Sequence, residues 1–336
     1  MKVLKYIFLI AITLSFAQHD DLFIVPKNWP KPVYNFTNNA LTKSKVELGK
    51  VLFYDPILSK DNTISCASCH SPFSAFTHID HSLSHGIHDS IGRRNSPALI
   101  NLAWQKTFMW DGAINNLDMQ ALAPITHKAE MANDIKALVE KLNTIKFYKH
   151  LFKDAFGDSL VTGEKTLKAI SQFLLTLISS NAKYDRVMIK EEVFTSQELS
   201  GYRLFQKHCN TCHKEPLFTT NEFANNGLSI DTLLIDYGRL IFTKNPSDSL
   251  KFKIPTLRNI EFTFPYMHDG RFKKLSQVMT HYTSQIQSST TLAINLKQKI
   301  NLTSNEKVDI IAFLMTLSDR NFVFDKRFAD PYIRNN

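Results

Sequence analysis

All four cysteines of the chain fall in two copies of one pentapeptide, Cys66-Ala67-Ser68-Cys69-His70 and Cys209-Asn210-Thr211-Cys212-His213. Two thiols at this spacing can form thioethers with the vinyl groups of a porphyrin, and the adjoining imidazole can then take the iron from the proximal side. Cys66, Cys69, Cys209 and Cys212 are thus candidate attachment points for two covalent c-type haems, with His70 and His213 as candidate axial ligands. Other chemistries also use paired cysteines. Zinc ribbons space their pairs about 15–20 residues apart, whereas the first cysteines of these pairs lie 143 positions apart. Disulfides and redox Cys-x-x-Cys motifs give the following histidine no part, yet both copies carry it. Haem attachment uses every residue of the pattern.

The elements around the two motifs repeat as well. Gly49-Lys50-Val51-Leu52-Phe53 precedes the first motif and Gly201-Tyr202-Arg203-Leu204-Phe205 the second, both of the form Gly-x-x-Leu-Phe with apolar residues at helical spacing. Ile170 to Leu177 and Ile310 to Leu317 share Ile-x-x-Phe-Leu-x-Thr-Leu. Each half therefore reads as an opening helix, a haem motif, an irregular stretch and a closing amphipathic helix. The expected fold is mainly α, two tandem cytochrome c domains with one haem each. Further helices are expected near Met131–Leu142 and Phe147–Phe156. Ser196 and Ser304 are expected to open the first and last helices of the second half. The expected bounds are a signal peptide 1–17, an extension 18–39, domains 40–186 and 197–322, a linker 187–196 and a tail 323–336.

Lys2 and Lys5, an apolar run from Tyr6 to Phe16 and then Ala17 form a secretory signal, too short for the roughly 20 residues of a membrane span. No other stretch approaches that length without charges, so an integral membrane protein is not expected. Haem is joined to such motifs outside the bacterial cytoplasm, which implies the periplasm. A length of 336 residues suits about two domains of about 150 residues. Without Lys2 and Lys5 the formal charge of +9 becomes +7. The lysines are dispersed and not interleaved with aromatics, which argues against nucleic acid; a mildly basic surface suits an acidic redox partner.

Between and beyond the haem motifs lie Ile91-Gly92-Arg93-Arg94-Asn95-Ser96-Pro97-Ala98-Leu99, Phe108-Met109-Trp110-Asp111-Gly112, Gln120-Ala121-Leu122-Ala123-Pro124, Glu130-Met131, Ile254-Pro255-Thr256-Leu257-Arg258-Asn259 and Pro265-Tyr266-Met267-His268-Asp269-Gly270. In this order, from about residue 40 to 320, they resemble the bacterial di-haem cytochrome c peroxidases, a family that includes the MauG-type enzymes. The resemblance implies that the first haem meets peroxide and the second stores or admits electrons. It places Glu130 and Gln120 on the distal side of the first iron, the carboxylate to shuttle a proton between the peroxide oxygens and the amide to donate a hydrogen bond. It makes Trp110 the indole between the haems, able to relay an electron. Asn95, Thr263 and Pro265 match positions that offer oxygen ligands to a calcium ion.

Sixth ligands are less uniform in the family. Many members place a histidine from the loop before the Arg-Asn-Ser-Pro motif on the resting first iron. Here that loop holds His78, His81, His85 and His88, with His88 nearest the usual position and His85 the second choice. Where the peroxidases carry an axial methionine on the second haem, fourteen residues beyond His268, this chain has Tyr282, as MauG-type members do. Met279, one turn earlier, is the alternative ligand. The expected activity is reduction of hydrogen peroxide with electrons from a small cytochrome c or copper protein (a cupredoxin). The alternatives are a MauG-like oxidase acting on a protein or small molecule, and a non-catalytic electron-transfer cytochrome. The family's peroxidases are often homodimers.

Overall fold

The computed structural model describes residues 22–332, so the expected signal segment lies outside the described residues. Helices dominate. In the first half α1 (Lys43–Tyr54) leads to the single turn α2 (Cys66–Cys69), which is the first haem motif itself. Then come α3 (Leu117–Gln120), α4 (Leu122–Thr126), α5 (Ile135–Thr144), α6 (Lys146–Phe156) and α7 (Gly163–Leu175). α8 (Lys183–Met188) leads to the second half, which holds α9 (Ser196–His208), α10 (Leu240–Thr243), α11 (Leu275–Thr280), α12 (Ser304–Met315) and α13 (Arg320–Val323). The strands among the described residues are β1 (Phe223–Ala224) and β2 (Phe252–Lys253), antiparallel, with Phe223 opposite Lys253.

The four long helices of the repeat all start at threonine. Thr42 and Thr162 accept from the backbone of Lys45 and Lys165 at 3.3 and 3.2 Å. In the second half the caps are Thr195 and Thr303, each one residue before the serine expected to open the helix. Glu198 and Glu306 decide this, because only a cap three residues earlier lets their carboxylates reach back to its backbone N–H, at 2.7 and 2.8 Å. The helix expected from Met131 begins instead at Ile135, since Asp134 caps the N–H groups of Lys136 and Ala137. α6 starts one residue before Phe147 and stops at Gly157, whose φ of +85° suits glycine.

The sequence repeat is a packing repeat. α1 lies on α7 and α9 lies on α12. A Cβ on Gly49 would meet the Ala169 carbonyl oxygen at 1.9 Å, and one on Gly201 would meet that of Asp309 at 1.9 Å. The two glycines therefore let the opening and closing helices of each half touch backbone to backbone. Phe53 and Phe173 are buried in one core, Phe205 and Phe313 in the other. The first core also takes in Phe322, Val323 and Phe328, so the chain beyond the second half returns to the first. Trp29, from the segment before α1, lies against the first core and under the Arg258 guanidinium at 4.5 Å, joining the halves from the other end.

Candidate functional site

His70 and His213 are held for ligation. The His70 Nδ1 lies 2.7 Å from the Phe76 carbonyl oxygen, and the His213 Nδ1 lies 3.2 Å from that of Phe218 and 3.1 Å from that of Pro255. With Nδ1–H donating to these carbonyls, the Nε2 lone pair of each ring is left for a metal. Burial depresses both imidazoles, His70 to about 4, which keeps them neutral as a haem iron requires.

The four cysteines form no disulfide. Burial pushes the Cys66 and Cys209 thiols up to about 12 and Cys69 to about 11, the reverse of the depressed values of redox Cys-x-x-Cys thiols. No group of three or more His, Cys, Asp or Glu side chains among the described residues is arranged to hold a metal ion, which sets zinc aside. What the site fits is haem: paired neutral thiols for the vinyl groups and a neutral imidazole with its outer nitrogen free. Cys66→Ala or Cys209→Ala should each leave a protein with one covalent haem, read on denaturing gels stained for haem. Stoichiometric zinc in place of haem would overturn this assignment.

Around the first motif the structure gathers Glu130, Gln120 and the histidine loop. Glu130 is half-buried and close enough to Cys66 and Cys69 to raise both thiols. Burial lifts its own carboxyl above the usual range, against the pull of His127, whose Nδ1 is 3.5 Å away. Gln120 ends α3 with its Nε2 3.7 Å from the Met109 sulfur. In the loop, His85 rather than His88 meets the motif. The Cys69 Sγ is 3.7 Å from the His85 carbonyl, while the His88 side chain is 77% exposed beside Asp61. The rings of His78, His81 and His85 stand in a row, with centroids 5.5 and 4.5 Å apart.

Trp110 lies in the seam between the halves. Its indole Nε1–H donates to the Asn95 carbonyl at 2.8 Å, and its own carbonyl accepts from the Lys253 N–H at 2.7 Å. Asn95 in turn donates its N–H to the His268 carbonyl at 2.7 Å. Asp111, next to Trp110, is bridged by Arg94 to Asp236 of the second half. Asn95 thus touches the segment after Pro265. Its Nδ2 is committed to the Ser82 carbonyl at 3.0 Å, which turns Oδ1 away as a hard-oxygen donor.

At the second motif, Tyr282 and Met279 part company. Tyr282 is near enough to Cys209 and Cys212 for its charge to feel them, and burial pushes its phenol up to about 12. It sits in a π-helical turn, His281–Gln285, that continues α11. Such turns insert one residue into a helix and re-aim its side chains, often at functional sites. Met279 instead is buried in the second apolar core, and the Thr283 hydroxyl donates to its carbonyl at 2.9 Å.

Comparison with known proteins decides the family. A family model described as di-haem cytochrome c peroxidase matches residues 43–193. Methylamine utilization protein MauG of Methylophilus methylotrophus is 34% identical, over 88% of this chain and 88% of that protein. Cytochrome c551 peroxidase of Nitrosomonas europaea is 35% identical, over 81% of this chain and 79% of its own length. The chain belongs to the di-haem cytochrome c peroxidase family. A crystal structure of a MauG-like protein associated with microbial copper homeostasis superposes with a TM-score of 0.83 at 30% identity, covering 92% of this chain and 98% of that one.

As a di-haem peroxidase the chain is an oxidoreductase with two c-type haems, which sets aside the reading as a non-catalytic cytochrome. Comparing the halves reveals residues that the motifs alone did not. Pro97-x-Leu99-x-Asn101 repeats as Pro255-x-Leu257-x-Asn259, and Met109-Trp110-Asp111-Gly112 as Met267-His268-Asp269-Gly270. Gly112 and Gly270 share φ values of +71° and +67°. His268 is therefore the counterpart of Trp110, buried and stacked on Phe252 with centroids 3.6 Å apart. The exchange of N–H groups between Asn95 and His268, and between Lys253 and Trp110, is one pseudo-twofold contact made twice. A search for repeats of five residues rather than eight would have found it.

Proposed function

We propose that this di-haem peroxidase reduces hydrogen peroxide to water at the haem of its 40–186 half. Electrons enter from a small cytochrome c or cupredoxin through the haem of the 197–322 half, in the periplasm. Glu130 carries the reading, a half-buried carboxyl held above its usual range beside both first-motif thiols. When bound, the haem supplies an iron that takes peroxide and furnishes electrons to its O–O bond. Glu130 then takes the proton from the near oxygen and delivers it to the departing one, so that two protons and two electrons yield two waters. Gln120 offers an amide N–H to the bound peroxide, and Trp110 bridges the halves for the electron.

The internal repeat supports this division of labour. Fourteen residues beyond His268 lies Tyr282; the same count from Trp110 falls on Pro124, which has no side-chain donor. The first iron therefore keeps a sixth position that no residue of α4 fills, and His85 is the loop histidine placed to cover it at rest. Calcium held by Asn95, Thr263 and Pro265 at the seam, and a homodimer, complete the proposal.

Tyr282 favours a second reading, a MauG-like oxidase that uses peroxide to oxidise a protein or small molecule. Stopped-flow mixing with reduced cytochrome c and peroxide separates the two. Rapid donor oxidation is expected. Long-lived oxidised haem without donor turnover would overturn the peroxidase reading in favour of the oxidase.

A further inference from the structure

We infer that Asn226 is the positioning residue for the second haem, donating an amide hydrogen bond to the Tyr282 oxygen and thereby setting how much charge that oxygen gives the iron. The inference rests on the reading of Tyr282 as axial ligand and goes beyond it to the group that tunes the ligand.

The segment Asn225-Asn226-Gly227 grips the π-helical turn and the chain just after it. The Asn226 carbonyl oxygen is 3.0 Å from His281 Nε2, and the Gly227 carbonyl accepts from the Gln287 N–H at 2.8 Å. Gly227 has a φ of +72°, and a Cβ there would meet Ile286 Cγ2 at 2.5 Å, so the two segments are in direct contact. Asn225 anchors the grip from behind, donating its Nδ2 to the Ser289 and Thr291 hydroxyls at 2.9 Å each.

The orientation of the Asn226 amide follows from its own partners. Its Oδ1 accepts from the Leu228 N–H at 3.2 Å, which leaves Nδ2 to point the other way. There it reaches the Met267 sulfur at 3.4 Å and hydrogen-bonds the Tyr282 side chain. Nδ2 is a donor only, so it favours a phenol oxygen that carries negative charge. Charge shared with this donor is charge withheld from the iron. The bond therefore tempers a ligand that would otherwise favour the ferric state more strongly.

Two variants of the holoenzyme test this, with Tyr282→Phe as the control. Asn226→Leu removes the donor. At a fixed ambient potential the ferrous-to-ferric ratio of the second haem should fall about tenfold, a shift of about 59 mV for a one-electron couple. Asn226→Asp keeps an acceptor for the Leu228 N–H but turns the donor into an anion. The phenolate-to-iron absorption of the second haem should then weaken, with both haems still covalently attached. Wild-type potential and absorption in both Asn226 variants, with Tyr282→Phe abolishing that absorption, would overturn the inference and leave the ligand reading standing. A second-haem spectrum unchanged by Tyr282→Phe would overturn the ligand reading and this inference with it.

Discussion

Glu130→Gln is expected to retain both haems and their reduction by a donor while slowing peroxide cleavage by about 10²–10⁴-fold, the usual scale of acid–base assistance. The substitution keeps the size of the side chain and removes its ability to accept and return a proton. Structural damage should be slight, because the Glu130 backbone makes the local contacts: its carbonyl accepts from Ile87 at 2.8 Å and its N–H donates to His127 at 3.0 Å. The carboxyl has a further signature. Burial raises its pKa, and only the carboxylate can take the first proton, so the wild-type rate should fall as the pH drops through that raised value. This acid limb should lie above the ordinary carboxylate range and vanish in the glutamine variant. Single-turnover mixing with peroxide across pH measures both effects. An unchanged rate, or an acid limb that survives the substitution, would remove Glu130 from the mechanism.

The legibility of the chain followed the reach of each interaction. Attachment chemistry is local, so five consecutive residues displayed it twice. The helix pairs were legible because close backbone contact requires glycine, and Gly49 and Gly201 stand at matching positions. Helix starts slipped by one residue because Ser196 and Ser304 each follow a threonine that can also cap, and the glutamates three residues after the threonines chose between them. The distal histidine could not be ranked from spacing. His85 and His88 differ by less than one helical turn, and the left-handed backbone at His88, with φ of +53°, sends its side chain to solvent. Asn226 was invisible for a different reason. Its role comes from a contact across 56 residues, and a lone asparagine in a loop carries no pattern that announces a partner.

Tyr282→Met should raise the potential of the second haem and make its ferrous form easier to reach. An anionic oxygen ligand stabilises ferric iron, whereas a neutral thioether favours ferrous iron, and axial ligand identity can move a haem through much of a range of roughly 0.8 V. The position accepts the change on structural grounds. Tyr282 is half-buried, and a methionine would reach toward the same pair of cysteines from the same π-helical turn. With an electron now held at the second haem, the variant should shift toward the half-reduced cycle of a peroxidase with a small-protein donor. The competing ligand makes the opposite forecast. Were Met279 on the iron, Tyr282→Met would change little and Met279→Ala would shift the spectrum and the potential strongly. The structure weighs against that, because Met279 is buried among Tyr184, Phe205 and Phe313 in the second core, so its loss should chiefly cost stability. Truncation of a buried methionine to alanine typically costs about 2–5 kcal/mol. Redox titration of both variants, with magnetic resonance of the ferric state, separates the cases. A low-spin signal and potential untouched by Tyr282→Met would refute tyrosinate ligation.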